Sequence, residues 1–466
     1  MLYAIGGGWG DEQPGAGKEC VAVIRGTDIP KLRIGDHSSV PFRYESESKV
    51  RSRLLRVGDI VIEVSGGSAA SGQHTGRALL VTGEILQSLG GKVIPASFCR
   101  LLRLDSKQVD PGFIVLQIES LHQSGEIAEF ENQSTGIANF QFNRFVEEAH
   151  PIIKELDSQE TIAEYISSFD RLTALNRRID QTLEAIAQAI FKSWFVDFDP
   201  VRAKIAAIEQ GQEPLRAAMR AISGKTDAEL DQMPREQHDQ LAAAAALFPD
   251  AMEESELGEI PKGWEASTIG EMVEIAGGAT PDTKNESYWN PPEHFWTSPK
   301  DLSGAQSPVL LTTERRISSA GLSRIGSGLL PKGTLLMSSR APIGYLAITQ
   351  IPVAINQGYI AILPGGKLPP LYFLMWCQKN MDQIKGQANG STFMEISKKA
   401  FRPMPVIYPG SDLTDSFVKA VTPLFEQLVA RVKESSRLAE IRNAFLPRLL
   451  YGELIVPSDP SDEESQ

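Results

Sequence analysis

Residues 157–195 read DSQETIAEYISSFDRLTALNRRIDQTLEAIAQAIFKSWF, and residues 411–450 read SDLTDSFVKAVTPLFEQLVARVKESSRLAEIRNAFLPRLL. In the first, Ile162, Ile166, Phe169, Leu172, Ile179, Leu183, Ile186 and Ile190 recur three, four or seven apart. In the second, Phe417, Val421, Leu424, Leu428, Val432, Leu438, Ile441, Phe445 and Leu449 recur three or four apart, save for a step of six from Val432 to Leu438. That spacing marks one face of a helix. Each stretch opens with a pair of carboxylates, Asp157 with Glu160 and Asp412 with Asp415, where first-turn amides lack partners. A helix from Ser158 to Phe195 is about 57 Å long at about 1.5 Å per residue and needs a partner for its apolar stripe. The other stretch is the obvious partner, so the two are expected to pack antiparallel as a coiled coil.

Each long stretch follows a segment of different texture. Residues 1–156 hold short apolar runs between turn residues, such as VAVIRGTDIP, GDIVIEVSGG and RALLVTGEIL. Residues 258–410 repeat this with GTLLMSS, GYLAITQIPVAI and GYIAILPGG. Such runs predict strands. Leu54-Leu55-Arg-Val-Gly58 lines up with Leu329-Leu330-Pro-Lys-Gly333, Phe145 with Phe401, and Pro151 with Pro405. A repeat this long is no solenoid. The fold expected is α+β, with two pseudo-repeated, strand-rich lobes separated by two long antiparallel helices. The boundaries expected are 1–156 for the first lobe, 157–200 for its helix, 201–257 for an exposed helical linker or insertion, 258–410 for the second lobe, 411–452 for its helix and 453–466 for an acidic disordered tail.

The chain has 466 residues and a formal charge of −13, which at first sight argues against a nucleic-acid partner. The charge is uneven, however: −3 over 1–156, −9 over 157–257, +3 over 258–410 and −4 over 411–466. The two lobes cancel, and the acid sits in helices, linker and tail. No apolar run reaches the roughly 18 residues of a membrane span, and the N-terminal residues do not form a secretory signal. Three unclustered cysteines, Cys20, Cys99 and Cys377, make neither a disulfide framework nor a zinc site. A cytoplasmic setting is expected.

No stretch supplies a self-sufficient catalytic site. Asn290-Pro-Pro-Glu293 approaches an amino-methyltransferase signature, but its fourth residue is acidic and no Gly-rich cofactor loop precedes it, so a turn is the better reading. Gly6-Gly7-Gly8-Trp9-Gly10 is not expected to follow a strand or open a helix, so nucleotide binding is not its reading. Asp282 with Glu395 and Lys398 is too widely spaced for a nuclease motif. There is no H-x-x-x-H pair and no Gly-x-Ser-x-Gly elbow. What remains are basic and polar loops. Arg25, Thr27 and Arg77 lie in the first lobe; Lys300, Ser339, Arg340, Asn356, Gln357, Ser391, Thr392 and Lys398 lie in the second. Arg315-Arg316 is a further basic pair there. Any one alone is an ordinary solvated residue. As a set on paired lobes they suit duplex DNA, where Arg and Lys meet phosphate and Arg, Asn, Gln, Ser and Thr meet base edges.

The second half carries Gly258-Glu-Ile-Pro-Lys-Gly-Trp264, Trp296-Thr-Ser-Pro-Lys300-Asp-Leu302, Leu330-Pro-Lys-Gly333-Thr-Leu-Leu-Met-Ser-Ser339, Ala354-Ile-Asn-Gln-Gly358, Ser391-Thr-Phe-Met-Glu-Ile396 and Phe445-Leu-Pro-Arg-Leu-Leu450 in that order. The first half closes its helix with Ile190-Phe-Lys-Ser-Trp-Phe-Val-Asp-Phe198. In these motifs the chain resembles the DNA-specificity subunits of type I restriction–modification systems. The resemblance implies two target-recognition domains, each reading half of a bipartite DNA site, and paired helices that dock two modification subunits. Those partners carry S-adenosylmethionine, restriction subunits using ATP with Mg join them, and the specificity chain is itself not an enzyme. The alternative is a solitary DNA-binding or scaffold protein without modification partners. The entry segment Leu257–Gly278 of the second lobe has almost no counterpart before the first, where Gly452-Glu-Leu-Ile455 would fill its place in a circular arrangement, or the chain would start upstream.

Overall fold

The computed structural model describes residues 2–66, 74–134, 137–148, 154–340, 342–390 and 394–456. They fall into two compact units, one within Met1–Asn176 and Glu434–Gln466, the other Arg177–Lys433.

The first unit holds β1 (Tyr3–Gly6), β2 (Lys18–Ile24), β3 (Phe42–Ser46), β4 (Ile60–Glu63), β5 (Ala78–Leu80), β6 (Val93–Pro95), β7 (Cys99–Arg103), β8 (Glu131–Ser134) and β9 (Ile137–Phe140). They form a four-stranded sheet β1-β7-β4-β5, a three-stranded sheet β3-β2-β6 and the hairpin β8-β9. Val23, Ile60, Val61, Ile62, Ala78 and Leu101 are fully buried. Central strands this apolar are covered on both faces, and a helix, Pro111–Ser124, lays Val115 and Ile118 against Ile60 and Ile62.

The second unit holds β10 (Met252–Ser255), β11 (Gly258–Pro261), β12 (Glu265–Thr268), β13 (Ile275–Ala276), β14 (His294–Thr297), β15 (Val309–Leu310), β16 (Arg315–Ile317), β17 (Leu335–Ser338), β18 (Leu346–Thr349), β19 (Ala354–Ile355), β20 (Tyr359–Ile362) and β21 (Pro405–Tyr408). The sheet β13-β20-β17-β18-β15 repeats the order of the first unit with one strand added, and β16-β14-β19 repeats β3-β2-β6. In both small sheets the central strand is antiparallel to one neighbour and parallel to the other.

The repeat extends to single hydrogen bonds. Leu55 N–H donates to Val93 carbonyl at 3.0 Å, and Leu330 N–H to Val353 carbonyl at 2.9 Å. Gly58 and Gly333 both take a positive φ, +86° and +88°, as the turn into β4 or β17 requires. Gly7 and Gly278 match as well: a Cβ at either would collide with a carbonyl oxygen, of Ala96 or of Ile355.

The long helices run Leu156–Phe195 and Ser411–Leu450, 40 residues each, or about 60 Å. In the first unit Ile162 and Ile166 pack with Leu446, Leu449 and Leu450. Asn176 donates to Glu434 at 2.9 Å. In the second unit Leu183 packs with Leu428, and Phe191 meets Phe417 edge to face at 5.8 Å. As one number rises the other falls, which is antiparallel pairing. Leu172, Ile186 and Ile441 depart from the expected buried stripe at 49%, 43% and 41% exposure. The spacing alone does not decide this, because a straight helix drifts against a seven-residue repeat. Pro423 lies inside the second helix, where it withholds an amide; Thr422 beside it donates its hydroxyl to the Val418 carbonyl at 2.7 Å.

The first helix ends at Phe195 rather than at 200, because Phe198 adopts φ +56° and Pro200 starts a new helix, Asp199–Glu209. The helices that follow are not an exposed linker. Ala218, Met219, Leu230 and Ala245 form a buried cluster, and Trp194 packs edge to face on Phe248 at 5.2 Å. The boundary expected at 257 falls in the turn of the β10-β11 hairpin. The C-terminal Leu454 and Val456 pack on the first unit's cluster of Phe113, Leu116 and Ile162, as Ile260 packs in the second unit. Most of the expected acidic tail, 457–466, lies outside the described residues, as does Pro151.

Candidate nucleic-acid interface

In the second unit, four loops meet at the ends of β13, β17, β19 and β20. Ser338 pairs with Tyr359, and Ser339 N–H donates to Gly358 carbonyl at 2.8 Å. Ile396 N–H donates back to Ser339 carbonyl at 3.0 Å, which sets Arg340 opposite Glu395. Ala279 N–H reaches Ile355 carbonyl at 3.0 Å, and Thr280 hydroxyl bonds Gln357 at 2.7 Å. Lys398 lies against Gly277. The backbone ladder thus gathers Arg340, Asn356, Gln357 and Lys398, which lie far apart in sequence. Gln357 and Lys398 are exposed, while Asn356 and Arg340 are partly so. Asn356 spends its side-chain carbonyl on Gly358 N–H at 2.8 Å, keeping its amide free to donate.

Lys300 sits on a short helix, Pro299–Leu302, whose Asp301 accepts from Ser298 N–H at 2.8 Å. Its ammonium pairs with Glu314 at 2.9 Å, and Arg340 with Glu395 at 3.9 Å; both pairs are open to solvent and weakly held. Ser339 departs from expectation. It is 3% exposed, held between the backbones of Gly358 and Ile396, and so cannot present a hydroxyl to a groove. Ser391 and Thr392 lie outside the described residues.

The first unit treats its arginines differently. Arg25 caps a short helix, Gly26–Asp28, with its guanidinium on Asp28 at 2.8 and 2.9 Å. Arg77 grips Glu63 through two bonds of 2.7 and 2.8 Å, and Glu63 is 2% exposed. Bonding to Asp28 and to Glu63 raises both guanidinium pKa values. Both arginines were expected to face a duplex, but here they neutralise buried carboxylates. The spacing of Arg25 with Asp28 was readable beforehand; the partnership of Arg77 with Glu63 depends on strand pairing. Thr27 is exposed beside them. Burial first, then Glu63 and Asp28, push the Cys99 thiol up to about 12, so it is inert.

Among the described residues no group of His, Cys, Asp and Glu could hold a metal ion. Glu293, from the Asn-Pro-Pro-Glu stretch, accepts from Ser319 N–H and hydroxyl at 2.7 and 2.6 Å. That is a structural cap rather than a methyl-transfer site.

Residues 261–431 match the family of the type I restriction modification DNA specificity domain. The chain is also 34% identical over 317 residues to the type I restriction enzyme HindI specificity subunit of Haemophilus influenzae, a match covering 65% of this chain and 68% of that one. It belongs to the type I specificity-subunit family. A second relative, the MjaIX specificity subunit of Methanocaldococcus jannaschii, is 33% identical over 40% of this chain and 43% of its own. Among solved structures, the type I S subunit from M. genitalium aligns over 98% of this chain and 94% of its own at 14% identity and a TM-score of 0.45. As a specificity subunit the chain binds DNA and is not itself catalytic, which accords with duplicated lobes built around polar loops.

Proposed function

We propose that each lobe reads one half of a bipartite duplex site and that the paired long helices dock two methyltransferase subunits. Restriction subunits join the same assembly. The partners supply S-adenosylmethionine, and ATP with Mg for restriction, while this chain holds no cofactor of its own. Among the described residues no helix is long and apolar enough to cross a membrane, and a cytoplasmic complex is the proposal. The observation that carries the reading is the duplication itself. Two sheets of one strand order, each followed by a 40-residue helix, suit two similar half-sites and two copies of a partner. Exposed Leu172, Leu175, Ile186 and Ile441 on the helices give such partners apolar surface to cover.

Lys300, Arg340, Asn356, Gln357 and Lys398 are the proposed DNA contacts of the second lobe; Thr27 is proposed for the first. Co-expression with the adjacent modification subunit tests the reading. The expected product is a complex of one specificity chain and two modification chains, measured by native mass. A chain that fails to associate yet binds a specific site unaided would make it a solitary DNA-binding protein. If the complex forms, methylation mapping of host DNA should give both half-sites and their spacer.

A further inference from the structure

β16 is the outer strand of the three-stranded sheet in the second unit. Its register sets Arg315 opposite Trp296 and Arg316 opposite Phe295, so the two arginines point to opposite faces. The Arg315 guanidinium lies 3.5 Å from the centre of the Trp289 ring and 5.4 Å from that of Trp296. The two indoles meet edge to face at 5.3 Å. Their N–H groups are anchored to the carbonyls of Asp282 and Ala279, at 3.1 and 3.3 Å. Next to Trp289, Tyr288 carries a second guanidinium, that of Arg324, at 5.5 Å. Arg315 and Arg324 are exposed, and among the described residues neither forms an ion pair with a carboxylate.

A guanidinium stacked on an aromatic ring is held by its flat face, leaving its in-plane N–H fork directed outward. That fork matches the two oxygens of a phosphate, and a side chain already ordered loses less entropy on binding. Arg25 and Arg77 have spent the same fork on Asp28 and Glu63. The aromatic platform also adjoins the candidate base-reading residues, because the loop that anchors both indoles includes Thr280, which bonds Gln357 at 2.7 Å.

We propose that Arg315 and Arg324, carried on Trp289, Trp296 and Tyr288, contact the phosphate backbone of duplex DNA beside Asn356 and Gln357. The inference rests on the DNA-reading role of the second lobe. The two arginines set affinity and register, not base preference.

The test is a titration of the purified full-length chain with a labelled random-sequence duplex over a range of KCl concentrations. Arg315→Ala and Arg324→Ala should each weaken binding about fivefold at low salt and reduce the slope of log K against log salt by about 0.9. Arg315→Lys should keep that slope, since the charge remains, and the circular dichroism and melting temperature of each variant check that it folds. Wild-type affinity and slope in both alanine variants would overturn the inference and leave the DNA role of the lobe standing. Weaker binding at an unchanged slope would also overturn it, because the arginines would then act only on the fold. Absence of any duplex binding by the unaltered chain, both alone and in complex with its modification subunits, would instead overturn the DNA role of the lobe.

Discussion

The two lobes share one strand order but fill the same corner with different chemistry. Glu63 N–H donates to Arg77 carbonyl at 2.9 Å, and at the matching place Ser338 N–H donates to Tyr345 carbonyl, also at 2.9 Å. The first lobe therefore holds a buried ion pair where the second holds a serine and a tyrosine. Cys99 stands opposite Glu63, and Tyr359 opposite Ser338. Tyr359 sends its hydroxyl to the Ser298 carbonyl at 2.7 Å, and burial raises its pKa. An arginine in a repeated loop is thus no guide to its task. Arg77, beside a buried carboxylate, belongs to the fold; Arg315, over Trp289 and in no ion pair with a carboxylate among the described residues, remains available to a ligand.

The largest effect is expected where the first unit is tied to its own helices. Arg442 is 8% exposed, bonds Glu119 at 2.7 Å twice and donates to Asp170 at 3.3 Å. Arg33 also reaches Glu119, at 3.2 Å. Burial raises the Glu119 carboxyl, but Arg33 and Arg442 together hold it below its usual value. Arg442→Ala removes the ion pair to Asp170 and leaves Glu119 to Arg33 alone, and should cost about 3 kcal/mol in urea unfolding. A loss below about 1 kcal/mol would show that the cluster is solvated.

Next comes the corner in which the chemistry of the two lobes differs. Arg77→Ala leaves Glu63 buried and unpaired and should cost about 2 kcal/mol. The double variant Glu63→Gln/Arg77→Met should recover most of it, since removing both partners removes the stranded charge. If Arg77→Ala keeps its stability but lowers the salt slope of DNA binding, the contrast between the lobes breaks.

Arg340→Ala and Lys398→Ala should each weaken DNA binding about tenfold at low salt while leaving subunit assembly intact. Unchanged affinity in both would move the binding face elsewhere on the second lobe.

The smallest effect concerns Glu184, on the helix pair of the second unit. Burial, then the charge of Asp180, push its carboxyl up to about 7, and burial pushes Asp180 up to about 6 despite Arg431. The unfolded value of Glu184 is near 4.5, so the folded state holds the proton more tightly. Stability is therefore full below that value and falls as pH rises toward 7. Glu184→Gln should raise the melting temperature by about 2–4 °C at pH 8 and leave it unchanged at pH 4.5.

Sequence alone determined the plan. The spacing of Ile162, Ile166, Leu183 and their partners exposes a helix pair, because 3.6 residues per turn imposes that period on any buried stripe. Matched turns such as Gly58 and Gly333 expose the duplication, because only glycine suits their backbone. The paired lobes also overrode a net charge of −13, which describes the whole chain and no surface of it. Tertiary structure alone decided which polar residues are available. Arg77 is spent because strand pairing sets it beside Glu63, Ser339 is hidden because its backbone lies between Gly358 and Ile396, and Arg315 is offered because Trp289 lies under it. None of these partnerships has a local signature, since a side chain's surroundings come from segments distant in sequence.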